Sequence, residues 1–232
     1  MNALKCGLVA AVWVAAVSGA SADPTYTYSF NEFRNHNTPN STTGETQLFV
    51  DVSGYGAGQV LFTFRNIGPN DSSICDMYFD DGALLRLASV IDGDQGSGGM
   101  AGVYFTQDST REPTHPANLP GGDALSPKFE TSYYQSKKED FSADSDEPVQ
   151  PYGVNPDEWL GIVFDLDPGT GLDSVIADLL SGELRVGIHV QGFADGGSES
   201  FINNPVPIPA PAAMLLGALG LGLLGGLKRR AA

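Results

Sequence analysis

The sequence predicts an all-β protein: a β-sandwich or jelly roll forming a single domain, with one short helix. Three observations predict it. Short runs of β-branched and aromatic residues recur through the middle of the chain, separated by clusters of Gly, Pro, Asn and Asp. Leu61, Phe62, Thr63 and Phe64, and again residues 185–190, alternate with a period of two, as strands with one buried face do. Only one window shows the spacing of an amphipathic helix.

Taken in order, residues 25–30 alternate aromatic and polar side chains and open the series. Strand patterns follow at 47–52, 60–64, 74–79, 84–91 and 103–106, then at 128–134, 160–166, 184–193 and 198–202. Asp80, Asp81 and Gly82 read as a hairpin turn. The helix begins at Asp173 and Ser174 and stops before Gly182, with Val175, Ile176, Leu179 and Leu180 on one face. Two long stretches, 107–127 and 135–156, lack strand pattern. Loops of that length are where a binding surface is expected.

The chain has 232 residues, with 12 basic and 28 acidic side chains. All the acids and eight of the bases fall between Asp23 and Ile208, so that stretch carries a net charge of −20. Phosphate recognition needs the opposite sign, which excludes nucleic acid as a partner. The domain is expected to stay soluble and to repel other acidic polymers.

Both ends read as address labels. Lys5 precedes an apolar run from Gly7 to Val17, and Ala20 and Ala22 form a small-x-small cleavage site, so residues 1–22 are expected to be a signal peptide. Cys6 would leave with it. Cys75 would then be a lone thiol, read as a small buried core residue in a fold without a disulfide. At the other end Pro205, Pro207, Pro209 and Pro211 alternate, and each holds the preceding residue extended. Residues 212–227 carry no charge and include seven Leu and five Gly. As a helix they would span roughly 24 Å, short of a hydrocarbon core of about 30 Å, which fits a weakly inserting transmembrane segment. Lys228, Arg229 and Arg230 would hold its end on the cytoplasmic side.

The motif Val206-Pro207-Ile208-Pro209-Ala210-Pro211, the Leu/Gly segment and the basic end together resemble the PEP-CTERM sorting signal in its Val-Pro-x-Pro-Ala-Pro form. That resemblance implies processing by an exosortase-type membrane enzyme and a destination at the cell surface or beyond. It divides the chain into a signal peptide (1–22), a secreted acidic domain (23–204) and a sorting signal (205–232).

Sites for chemistry are sparse in the sequence. Asp165, Asp167 and Asp173 lie near one another between a strand and the helix, a partial match to a calcium loop without its bidentate Glu. Asp92 and Asp94 form a weaker one. His36, His115 and His189 are the only histidines, and none has zinc-ligand spacing. His189 sits between Ile188 and Val190, so its side chain is expected on the opposite face from theirs. There is no Gly-x-Ser-x-Gly elbow, and no two carboxylates are paired by spacing alone. No catalytic residue, metal ligand or cofactor is assigned. The expected function is that of an exported, structural or exopolysaccharide-associated protein. The alternatives are a carbohydrate- or calcium-binding sandwich and, behind it, an extracellular hydrolase.

Overall fold

A computed structural model describes residues 24–34, 37–80, 82–93, 102–106, 118–135 and 138–208. The ten strands are β1 (Tyr26–Glu32), β2 (Leu48–Gly54), β3 (Gln59–Asn66), β4 (Ser73–Asp80), β5 (Leu84–Asp92), β6 (Phe105–Thr106), β7 (Ser142–Ser145), β8 (Trp159–Leu166), β9 (Arg185–Gln191) and β10 (Ser198–Asn203). The α-helices are α1 (Thr38–Gln47), α2 (Val149–Tyr152) and α3 (Leu172–Ser181).

The strands pair antiparallel in the order β5-β8-β3-β2-β1-β10-β9-β4-β7-β6. β1 joins two halves of the sheet. Its Tyr26–Ser29 part pairs with β2, and its Phe30–Glu32 part pairs with β10. The sheet curls until its ends approach each other, where the Phe105 N–H donates to Asp92 Oδ1 at 3.1 Å. The result is a nearly closed, barrel-like layer around one core. Phe62 and Phe64 of β3 and Phe164 of β8 meet Phe79 of β4 across the interior, with the Phe79 and Phe164 rings 4.5 Å apart. Edge-to-face packing of this kind adds about 0.5–1.5 kcal/mol per pair beyond area burial.

Alternation is cleanest in β3, where Val60, Phe62, Phe64 and Asn66 are buried and the residues between them are not. β4 breaks the alternation with a bulge between Ile74 and Asp76, at Cys75. The extra residue changes parity. Ile74, Met77 and Phe79 all reach the main core, whereas Tyr78 packs outside it against Leu119 and Phe129.

The expected helix is present as α3, ended by Gly182 at φ +79°, a left-handed conformation that glycine adopts without strain. Val175 and Leu179 are buried, but Leu180 is 58% exposed, so the apolar face is narrower than expected. Four further expectations are corrected. Residues 38–47 form helix α1, which the sequence pattern did not announce; Asn37 accepts from the Asn40 N–H at its start, and Pro39 occupies its first turn. Residues 128–134 are not a strand, while β7 forms inside the stretch read as the loop 135–156. The turn at Gly82 does not close a hairpin, because β4 pairs with β7 and β9 whereas β5 pairs with β8. It carries the chain from one half of the sheet to the other.

A buried polar cluster ties loops to strands. Gln47 Nε2 donates to Asn66 Oδ1 (3.0 Å), Ser72 Oγ (2.7 Å) and Asn70 O (2.8 Å). Asn66 Nδ2 in turn reaches Ser72 O at 3.0 Å and Val154 O at 3.3 Å. Every one of these groups would cost free energy if buried without partners, so together they fix one arrangement of β2, β3 and the β3–β4 connection.

Candidate functional site

The outer face of the β10-β9-β4-β7 half carries a polar row set by strand register. Asp144 lies opposite Asp76, Asp76 opposite His189, and His189 opposite Ser200. Their chain neighbours Ala143, Met77, Ile188 and Phe201 all enter the core, so the row faces away from it, as expected for His189. Burial first, then the hydrogen bond and charge of Asp144, push the Asp76 carboxyl up to about 9. At neutral pH the pair therefore shares one proton. Burial lowers the His189 imidazole below its ordinary value, so the ring is neutral, with Nδ1 3.3 Å from Ser200 Oγ. Burial and the two acids also push the neighbouring Tyr78 phenol up.

A Ser-His-Asp triad needs an ionised carboxylate to orient the imidazole and an accessible hydroxyl. Here burial and Asp144 disfavour an ionised Asp76, and Ser200 is buried. Glycoside hydrolysis needs two carboxyl groups about 5 Å or more apart with the sugar between them, whereas this pair is in hydrogen-bond contact. The chemistry the row supplies is proton sharing. Sequence reasoning missed it because Asp144 lies in a stretch without strand pattern and the Cys75 bulge decides which way Asp76 points.

The three acids of the calcium-like segment are not brought together. Asp165 accepts from Gln59 Nε2 at 2.9 Å and from Arg86 Nε at 3.1 Å, contacts that lower its pKa. The Asp167 backbone closes a turn with Thr170, and Asp173 sits in the first turn of α3. Among the described residues no group of three or more His, Cys, Asp or Glu side chains is placed to hold a metal ion. Cys75 is fully buried, with burial pushing its thiol up to about 12, in agreement with the core reading.

Of the sorting motif, Val206 and Pro207 are described. Val206 is 63% exposed, and Ile208 beside it is 41% exposed. The chain leaving β10 runs back along β1: the Asn204 N–H donates to Ser29 O at 2.8 Å and the Ile208 N–H to Thr27 O. Pro209, Ala210 and Pro211, the segment 212–227, Lys228, Arg229 and Arg230, and the signal-cleavage residues Ala20 and Ala22 lie outside the described residues, as do His36 and His115. No described helix is long and apolar enough to cross a membrane.

An open groove of about 540 Å³ lies beside Asp80 and Gly82, lined by residues 130–134 together with Leu84 and Phe141. Arg185 anchors this strap. It bonds Asp80 and the carbonyl oxygen of Lys128, and its Nη1 donates to Pro127 O at 2.8 Å. The Ser132 N–H adds a bond to Phe79 O at 3.0 Å.

No protein-family model, curated protein sequence or solved structure matches this chain.

Proposed function

We propose that the chain is an exported cell-surface or extracellular-matrix protein, sorted by an exosortase-type enzyme through its C-terminal segment, with a structural role or an association with exopolysaccharide. The placement of the β-rich body between a signal peptide and a transmembrane helix belongs to the same proposal. The observation that carries it is the pairing of Ile208 with Thr27, only a few residues from the predicted signal-cleavage site. The described body therefore begins and ends at one corner, an arrangement that suits two address segments held at a single membrane face while the acidic body projects away. The net charge of −20 between Asp23 and Ile208 supports the same orientation, because anionic lipid repels it.

Intact-mass measurement on protein isolated from its native cells tests this. The expected mass lacks residues 1–22 and part of 205–232. A mass that retains Met1 and Ala232, in protein recovered from cytosol, overturns the proposal. A carbohydrate-binding role is the second reading, and the groove under residues 130–134 favours it. The calcium version has lost its ligand set, since Asp165 is engaged by Arg86 and Gln59.

A further inference from the structure

We propose that the groove under residues 130–134 binds a neutral or amino-bearing glycan; this deepens the matrix-association reading and rests on the body being extracellular. Leu84 and Phe141, both buried, give the lining an apolar patch. At the rim Tyr133 is 65% exposed, an aromatic face with room for a partner. Glu130 and Asp167 are exposed on the rim, and neither is ion-paired among the described residues. Thr131, only 2% exposed, lines the wall with an Oγ1 that has no hydrogen-bond partner among those residues. Among the described residues that line the groove there is no Lys or Arg.

That set of groups selects its ligand by chemistry. Ionised carboxylates only accept hydrogen bonds, so they call for a ligand rich in donors. An apolar patch and an aromatic rim call for a flat apolar face on the same ligand. A sugar ring has both, with C–H faces above and below and hydroxyl donors around its edge. Acidic sugars are disfavoured, because Glu130 and Asp167 would face a third carboxylate while the nearby guanidiniums are engaged, Arg185 by Asp80 and Arg86 by Asp165. The groove is also built in advance of the ligand. Arg185 fixes the strap, and the Arg86 guanidinium lies 5.9 Å from the centre of the Tyr134 ring while it bonds Asp165. A pre-formed site spends little binding energy on ordering.

The test is calorimetric titration of the purified full chain, held in a non-glycosidic detergent. The three probes are a neutral hexaose, a glucosamine hexamer and an oligouronate of equal length. Binding of the neutral or amino probe is expected, with at least a tenfold loss of affinity in Tyr133→Ala and in Asp167→Asn and retention in Tyr133→Phe. Melting temperatures of all variants should stay within about a degree of the parent. Absence of binding to both expected probes, binding of the oligouronate alone, or affinity undiminished in both Tyr133→Ala and Asp167→Asn overturns the inference. Co-sedimentation with native matrix separates the two readings. Parent and Tyr133→Ala both sedimenting would sink the groove and leave matrix association standing. A parent that binds glycan in the calorimeter but stays out of the matrix would do the reverse.

Discussion

Asp76 shows how one side chain couples stability to pH. Its carboxyl is raised in the folded state and titrates near its ordinary value when unfolded. The stabilisation it permits is therefore complete below about pH 4 and is lost as pH rises towards 9. Asp76→Asn keeps a donor to Asp144 without the titration. Melting temperature against pH should fall less steeply for Asp76→Asn than for the parent between pH 5 and 9, with the variant the more stable at pH 8; parallel curves would show that the proton is not shared. At Cys75, full burial and a raised thiol pKa predict that a thiol reagent reacts only after denaturant opens the fold. Gly44 is a contest between two known terms. Ala in a helix interior gains about 1 kcal/mol over Gly, but a Cβ at Gly44 would stand 2.2 Å from Phe201 Cζ, in a ring that is fully buried. Overpacking costs about 1–3 kcal/mol. Gly44→Ala should therefore lower the denaturation midpoint, and a higher midpoint would mean that the ring can yield.

Among the elements, α1 is the least legible in the sequence. Residues 38–47 contain no large apolar side chain, so no periodic stripe marks a helix there. The Asn37 cap and Pro39 start it, and packing holds it, with Asn40, Gly44 and Gln47 buried and Gly44 against the Phe201 ring. Its last residue, Gln47, then enters the buried cluster with Asn66 and Ser72. Asn66→Ala removes a side chain that satisfies several buried groups at once. Leaving such groups unpaired costs about 1–3 kcal/mol, and equilibrium urea unfolding should show a loss of that size. A change below 0.5 kcal/mol would mean that water replaces the amide. β3, β8 and β9 were legible because their alternation or apolar run survives intact. Residues 128–134 misled because Phe129, Thr131 and Tyr133 alternate like a strand, yet Arg185 takes the carbonyls of Pro127 and Lys128 and holds the segment as a strap.

At the scale of the molecule, the sheet closes on itself through β1, which serves both halves. A single curled layer leaves few open strand edges, a useful property for an acidic protein without a disulfide. Ile208, bonded to Thr27 of β1, brings the first and last described segments of the body together. Cleavage that removes residues beyond 208 should therefore leave the melting temperature of the body within a few degrees of the parent, whereas truncation before Asn204 strips the bonds to Ser29 and should lower it. Equal effects of the two truncations would show that the docked segment adds nothing.

The sequence by itself determined the β class, most strand positions, helix α3, the burial of Cys75 and the sign of the charge. Each of these is written in local period, composition or turn chemistry within a few consecutive residues. Only the tertiary structure decided that Asp76 meets Asp144, that the acids of 165–173 part company, and that Tyr133 and Asp167 rim one groove. Those pairings join residues far apart in the chain, through strand register and one bulge. A single inserted residue in a strand reverses every side chain that follows it, and no local pattern records that reversal.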